Sequence, residues 1–444
     1  MNLTNKVKRN INLPLFRNSL KMSMSNIIMY LLPIIVTPIL SRLYLPQDFG
    51  EWGIFSSCVS VLCMAMFGGF ENALVKAEER EVKVVAKICC ITAILMIGIV
   101  VLCFYVGEKY RIHFFESFPN PCLLYVYLFF HIFYTLSYNL CNRYEKYTSL
   151  SINNIIQGGS QATFRIIFAI SGITFFNGLI LGTTTSLLIS SFFLIISLKN
   201  ISLSNNSKTT NIKSVIRRYK KFPLFDAPSS LLSFAAFNLP VIILSLYFNK
   251  AEIGCLSIIF QLLLMPMSLI GSAIGKVYYQ ELCKERSEEF TMVTTTRIFK
   301  ILAIISIIPL AFIACGGDYI IVLFLGNKWT TAGIVALCLA LWSFPTILTQ
   351  PLLPLFRYLN IQNTMLLYDI LYFTCGIGTI IISCHITKNL YAILFLFSIA
   401  CFVSKILLFV KIASLANISF SICKRYIPLW SMAIFILAIR LLTL

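Results

Sequence analysis

Long apolar runs separated by short polar loops dominate the chain. A helix needs about 20 mostly apolar residues to cross a hydrocarbon core of roughly 30 Å. Charge-free runs of that scale occupy 22–41, 52–70, 88–107 and 117–142. The run 166–198 is too long for one span and is broken at Ser171-Gly172 and Asn177-Gly178. It reads as the end of a fifth helix and a whole sixth. Further runs lie at 227–249, 253–275, 301–317, 329–356, 370–387 and 389–404. The pattern predicts twelve membrane helices, at 19–45, 50–75, 84–106, 119–141, 148–171, 174–198, 223–248, 251–280, 298–323, 329–356, 362–384 and 388–411. A last apolar stretch, 427–444, carries Arg440 and reads as a thirteenth span or an interfacial helix.

Polar residues inside these helices fall on stripes. Asn154, Gln157, Gly158, Gln161 and Arg165 share one face of the fifth helix. Ser57, Ser60, Met64, Gly68 and Glu71 line the second. Ser268, Ser272, Lys276 and Tyr279 line the eighth, where Gly271 and Gly275 permit close helix contact. Asp226 opens the seventh, and Asp318, Asp369 and Lys405 lie within later helices. A charge at mid-bilayer costs at least about 2.5–3.5 kcal/mol. Each such residue therefore either locks two helices as an ion pair, reaches a head group, or faces a wet cavity. Arg165 and Lys276, deep and on striped faces, are the first candidates for a cavity. Arg42 and Glu71 lie near helix ends. Prolines such as Pro33, Pro38, Pro240 and Pro345 interrupt the helix ladder and allow bends.

Composition agrees with the pattern. The 444 residues are 58% hydrophobic and 12% charged, against about 25% charged in soluble domains. That excludes a soluble enzyme, a disordered chain and a coiled coil. The net charge is +19, which in a soluble protein would suggest nucleic acid. Here its placement explains it. With the N-terminus cytoplasmic, roughly 25 of the 36 basic residues fall in cytoplasmic loops and about 7 outside. The basic N-terminus followed by a long apolar run reads as an uncleaved first helix. The 15 cysteines sit mostly within helices without metal spacing and read as packing residues. The three histidines are too scattered for a metal site or a triad, and no phosphate-binding G-x-x-x-x-G-K-[ST] loop occurs. Neither a cofactor, a metal nor catalysis is expected.

The polar, basic segment 199–221 divides the chain into a first six-helix lobe, 1–198, and a second, 222–412, followed by 413–444. Topology explains its charge; anionic lipid and, behind it, a cytoplasmic partner are the further candidate ligands for it. One motif recurs in both halves. Ser41-Arg42-Leu43-Tyr44 with Asp48-Phe49-Gly50 matches Ser245-Leu246-Tyr247-Phe248 with Glu252-Ile253-Gly254, a constant 204 positions apart. Six spans per half is an even number, so both repeats enter from the same side, and a substrate path would run between them.

The stretch from Pro38 to Tyr44, then Pro46-Gln47-Asp48-Phe49-Gly50-Glu51-Trp52-Gly53, resembles the first hairpin of bacterial polysaccharide flippases. So does Lys221-Phe222-Pro223-Leu224-Phe225, with Leu239-Pro240 and Glu252-Ile253-Gly254 after it, and the stretch from Pro266 to Tyr279. The family is the Wzx-type O-antigen flippases, within the multidrug/oligosaccharidyl-lipid/polysaccharide exporter superfamily. The resemblance implies an all-α polytopic membrane protein of about twelve helices, in two lobes around a central cationic cavity. It implies transfer of an undecaprenyl-diphosphate-linked oligosaccharide from the cytoplasmic to the periplasmic leaflet of a bacterial inner membrane. It also implies cooperation with a polysaccharide polymerase and chain-length machinery. On this reading Arg42, Arg165 and Lys276 are candidate contacts for diphosphate or sugar. Glu71 and Asp226 are candidates for H⁺ or Na⁺ coupling, or for pairing with those cations. Two other readings remain open: a drug/cation antiporter of the same superfamily, and a membrane-embedded polymerase or acyltransferase. Mixed intramembrane charge with basic deep members disfavours the first, and short outer loops disfavour the second.

Overall fold

The computed structural model describes residues 13–172, 176–199, 212–220, 222–283, 287–359 and 361–442. Among them the chain is helical throughout and contains no strand. The principal helices are α1 (Leu13–Leu43), α2 (Pro46–Met66), α3 (Phe70–Lys76), α4 (Val82–Lys109), α5 (Pro121–Arg143), α6 (Tyr147–Ile170) and α7 (Gly178–Leu198). Next come α8 (Ile212–Tyr219), within the dividing segment, then α9 (Ala227–Leu244), α10 (Lys250–Leu282), α11 (Glu288–Ile305), α12 (Asp318–Leu325) and α13 (Thr330–Thr349). The chain ends in α14 (Gln362–Ile386), α15 (Leu390–Leu415) and α16 (Ile427–Leu442). Among the described residues, ten helices are long and apolar enough to cross a membrane. The fifth and seventh predicted spans fall outside that set. The fifth, α6, carries the polar stripe, and the described apolar part of the seventh, Ser230–Leu244, is short.

Among the described residues, two predicted helices break at glycine. The second ends at Met66 and restarts at Phe70, because Gly68 and Gly69 adopt φ of 56° and 81°. That left-handed backbone is open to glycine and strained for other residues. The ninth begins earlier than predicted, where the Ser287 hydroxyl accepts from the Phe290 N–H and caps α11. It then breaks at Gly316, φ 110°, before α12. The stretch 427–444 contains a 16-residue helix, α16. It is fastened by a two-pronged ion pair from Arg440 to Asp318, at 2.8 and 3.0 Å. The Trp430 indole N–H adds a 3.1 Å bond to the Ala303 carbonyl.

The chain forms two compact units. One holds the residues up to Leu43 with Cys58–Leu231, the other Tyr44–Ser57 with Leu232–Leu444. In the first, α6 packs between α1 and α7, and α5 lies on α7. Glycines permit this closeness. A Cβ on Gly158 would stand 3.1 Å from Met29 Cα, and one on Gly182 would stand 2.6 Å from Arg165 Cγ. In the second unit α13 is the core, with nearly every residue buried. The Trp342 indole N–H donates to the Tyr372 hydroxyl at 2.9 Å, and the Trp342 backbone N–H donates to the Ser398 hydroxyl at 2.9 Å. These bonds satisfy polar groups that would be costly to bury alone.

The repeated motif has a structural meaning. The start of α2 crosses the start of α10 within the second unit. A Cβ on Gly50 would lie 1.8 Å from the Lys250 carbonyl oxygen, and one on Gly254 would lie 1.8 Å from the Pro46 carbonyl oxygen. Pro46 and Lys250 are themselves 204 positions apart, as are Gly50 and Gly254. The contact is therefore reciprocal, as a two-fold repeat requires. Acidic caps recur with it. The Leu45 N–H donates to Asp48, at 2.8 Å, while Asn249 and Glu252 form a full capping box. Glu51 and Lys250 close the crossing with a 2.8 Å ion pair.

Candidate functional site

The polar stripe of α6 meets three neighbouring helices. Asn154 donates to the Ser25 hydroxyl at 3.2 Å and to Asn26 Oδ1 at 2.7 Å on α1. Gln157 Oε1 accepts from the Tyr134 hydroxyl on α5 at 3.0 Å. Arg165 is 3% exposed, and its Nη2 donates to Thr183 Oγ1 on α7 at 2.9 Å. The stripe thus binds the first unit together, and it brings Arg165 to the seam between α6 and α7. Among the described residues no group of three His, Cys, Asp or Glu side chains is placed to hold a metal.

The other sequence candidates are spread over the chain. Arg42 is exposed in the last turn of α1. Glu71 is half-buried in the first turn of α3, just after the glycine break. The side chains of Asp226 and Lys276 lie outside the described residues. Asp318, read from the sequence as an ion-pair lock or a cavity residue, is a lock to Arg440. Lys405 is 8% exposed with its Nζ 4.2 Å above the Tyr372 ring, a cation–π contact that offsets desolvation. Asp369, three residues before Tyr372, has a buried Oδ2 with no hydrogen-bond partner among the described residues.

One constellation escaped the sequence reading. Tyr127, His131, Tyr134 and Tyr138 follow one another along α5 at helical spacing. The rings of Tyr127 and His131 lie 6.1 Å apart and 15° from parallel; those of His131 and Tyr134 lie 6.0 Å apart and 26° from parallel. The spacing i, i+4, i+7, i+11 was visible in the sequence. It was hidden because the aromatic residues on the other faces of α5 obscure any single stripe.

At one end of the first unit an electrostatic clasp holds α8. Arg218 pairs with Glu78 and, at 3.0 Å, with Glu81, and the Tyr219 hydroxyl donates to Glu81 at 2.8 Å. Arg218, with Arg80 beside it, holds the Glu78 carboxyl below its ordinary range. Arg143 does the same for the neighbouring Glu79, pairing with it at 2.9 Å while donating to the Leu74 carbonyl at 3.0 Å.

A polytopic helical chain with broken helices and a reciprocal repeat has known counterparts. Residues 39–350 match the family described as polysaccharide biosynthesis protein. The chain belongs to this family. No curated protein matches the chain in sequence. Solved structures share the fold at low identity. An inward-facing multidrug resistance MATE family transporter of the MOP superfamily superposes with a TM-score of 0.69 at 15% identity, covering 88% of this chain and 96% of its own. The lipid II flippase MurJ, in an inward closed conformation, gives 0.65 at 13% identity, covering 96% of both chains. A MOP superfamily transporter from Pyrococcus furiosus gives 0.60 at 15% identity, covering 90% and 96%. These neighbours are transporters and a flippase, not enzymes.

Proposed function

We propose that this polysaccharide biosynthesis protein is a flippase. It carries an undecaprenyl-diphosphate-linked oligosaccharide, an O-antigen or similar repeat unit, from the cytoplasmic to the periplasmic leaflet of a bacterial inner membrane. The observation that carries the reading is the match to the polysaccharide family over 39–350 in a chain with the fold of a multi-span transporter. The physics supplies the need. An unpaired ion in hydrocarbon faces a penalty of order tens of kcal/mol on idealised solvation estimates, so a diphosphate cannot cross unaided. Guanidinium and ammonium groups replace its water with charge-assisted hydrogen bonds. In this reading the lobes 1–198 and 222–412, joined by 199–221 and followed by 413–444, rock about the load with the N-terminus cytoplasmic. Arg42, Arg165 and Lys276 supply the positive lining, Arg165 from the seam between α6 and α7. Glu71 and Asp226 couple to H⁺ or Na⁺ or pair with those cations. A polymerase and chain-length machinery consume the product.

The likeness to a multidrug transporter favours a second reading, a drug/cation antiporter. The test separates them. A strain lacking the chain should accumulate lipid-linked units facing the cytoplasm and should keep its drug resistance. Arg165→Ala and Lys276→Ala should abolish surface polysaccharide at normal protein level. Single units accumulating on the periplasmic side would instead identify a polymerase, and full activity of both variants would remove the cationic lining.

A further inference from the structure

We propose that the half-open face of α5 is a carbohydrate platform, made by the rings of Tyr127, His131 and Tyr134 with the amides of Gln157 and Gln161 on α6 beside it. This deepens the flippase reading and rests on it, because it assigns the glycan part of the load a site of its own, separate from the cations that would meet the diphosphate.

Val126, Phe129 and Phe133 are 39%, 50% and 40% exposed, the apolar face that a membrane helix turns to lipid. The opposite face should then be packed away. Leu124 and Leu128 are, at 0%. The adjoining strip of Tyr127, His131, Tyr134 and Tyr138, which helical spacing sets on the side away from those exposed residues, is only half-buried. An inward strip that packing leaves half open borders accessible space.

The chemistry of that strip is specific. Apolar ring faces carry polar edges, a combination suited to a ligand with CH faces and hydroxyl rims. Sugars have both and carry little charge, and the strip carries none. His131 reinforces the point. Its Nε2 lies 3.1 Å from Thr135 Oγ1, while its buried Nδ1 has no hydrogen-bond partner among the described residues. Phe67 backs the imidazole at 6.2 Å between centroids. The Tyr134 hydroxyl fixes Gln157 beside the rings at 3.0 Å. One turn on, Gln161 is half-buried on the same face of α6. A platform for a cationic drug would place a carboxylate here, and these residues include none.

The test uses the full-length chain in lipid nanodiscs and two probes. One is undecaprenyl diphosphate without sugar. The other is the pool of lipid-linked glycans extracted from cells deleted for this chain. The wild type should bind the glycan-bearing lipid more tightly than the bare one. Tyr127→Leu and His131→Leu should each reduce that gain about tenfold, the usual loss for a central aromatic contact, and leave binding of the bare lipid unchanged. Tyr127→Phe, which keeps the ring, should retain the gain. A residue that only packed α5 would weaken both probes together, and that result would overturn the platform. Equal binding of the two probes by the wild type would overturn it as well, while leaving the flippase reading standing. Binding of neither probe would overturn both.

Discussion

Arg165 is placed by what surrounds it. Its guanidinium reaches Thr183, and its aliphatic stem runs along Gly182, where a Cβ would come within 2.6 Å of Arg165 Cγ and 2.9 Å of its backbone nitrogen. Backbone cannot retreat as a flexible side chain can. Gly182→Ala should therefore push α6 from α7 and cost about 1–3 kcal/mol by overpacking, read as a lower melting temperature of the purified protein. Arg440 makes a second residue-level case. Removing it leaves the carboxylate of Asp318, 7% exposed, without its cation. Breaking a buried pair costs about 3–5 kcal/mol, and this one, partly open at the Arg440 side, should lose less. Arg440→Ala should lower the melting temperature, and the swap Asp318→Arg with Arg440→Asp should recover part of the loss.

At the scale of elements, the crossing of α2 and α10 depends on two glycines. Gly50 and Gly254 each face the opposing backbone carbonyl at a distance no side chain tolerates. Gly50→Ala and Gly254→Ala should both disrupt the crossing, by similar amounts, because the contact is reciprocal. Limited proteolysis of the purified variants, compared with wild type, measures this; a tolerated alanine at either position would contradict the contact. The clasp on α8 makes a pH prediction. The Glu78 carboxyl is held below its ordinary value of 4.5 by Arg218 and Arg80. A lowered folded value means the clasp stabilises fully above about pH 4.5, the value of the free carboxyl. That contribution is lost as pH falls through the lower folded value. The protection of the 212–219 amides, measured as hydrogen exchange relative to the intrinsic rate at each pH, should therefore fall on acidification, and Glu78→Gln should remove much of the difference.

For the whole molecule the decisive prediction is topological. Reporter fusions should place the N-terminus and residues 199–221 on the cytoplasmic side, as the concentration of Lys and Arg requires. Fusion activity on the opposite side would reverse the direction assigned to transport.

Much of this was written in the chain. Long apolar runs located the ten helices that are long and apolar enough to cross a membrane among the described residues, because each must satisfy its own backbone in lipid and must be apolar where it meets lipid. The repeat at Gly50 and Gly254 was legible for a similar reason, since only glycine admits the close crossing. The stripe on α6 was equally legible as a stripe, but not its partners, because sequence gives a direction on a helix and not the neighbour in that direction. The same limit hid the bond of Arg440 to Asp318, 122 residues earlier, whereas the strip of Tyr127, His131 and Tyr134 was masked by the aromatic residues around it on α5. Local pattern fixes which residues leave the lipid, since solvation acts on each helix alone. Which of them meet is a choice among helices, and only their packing makes it.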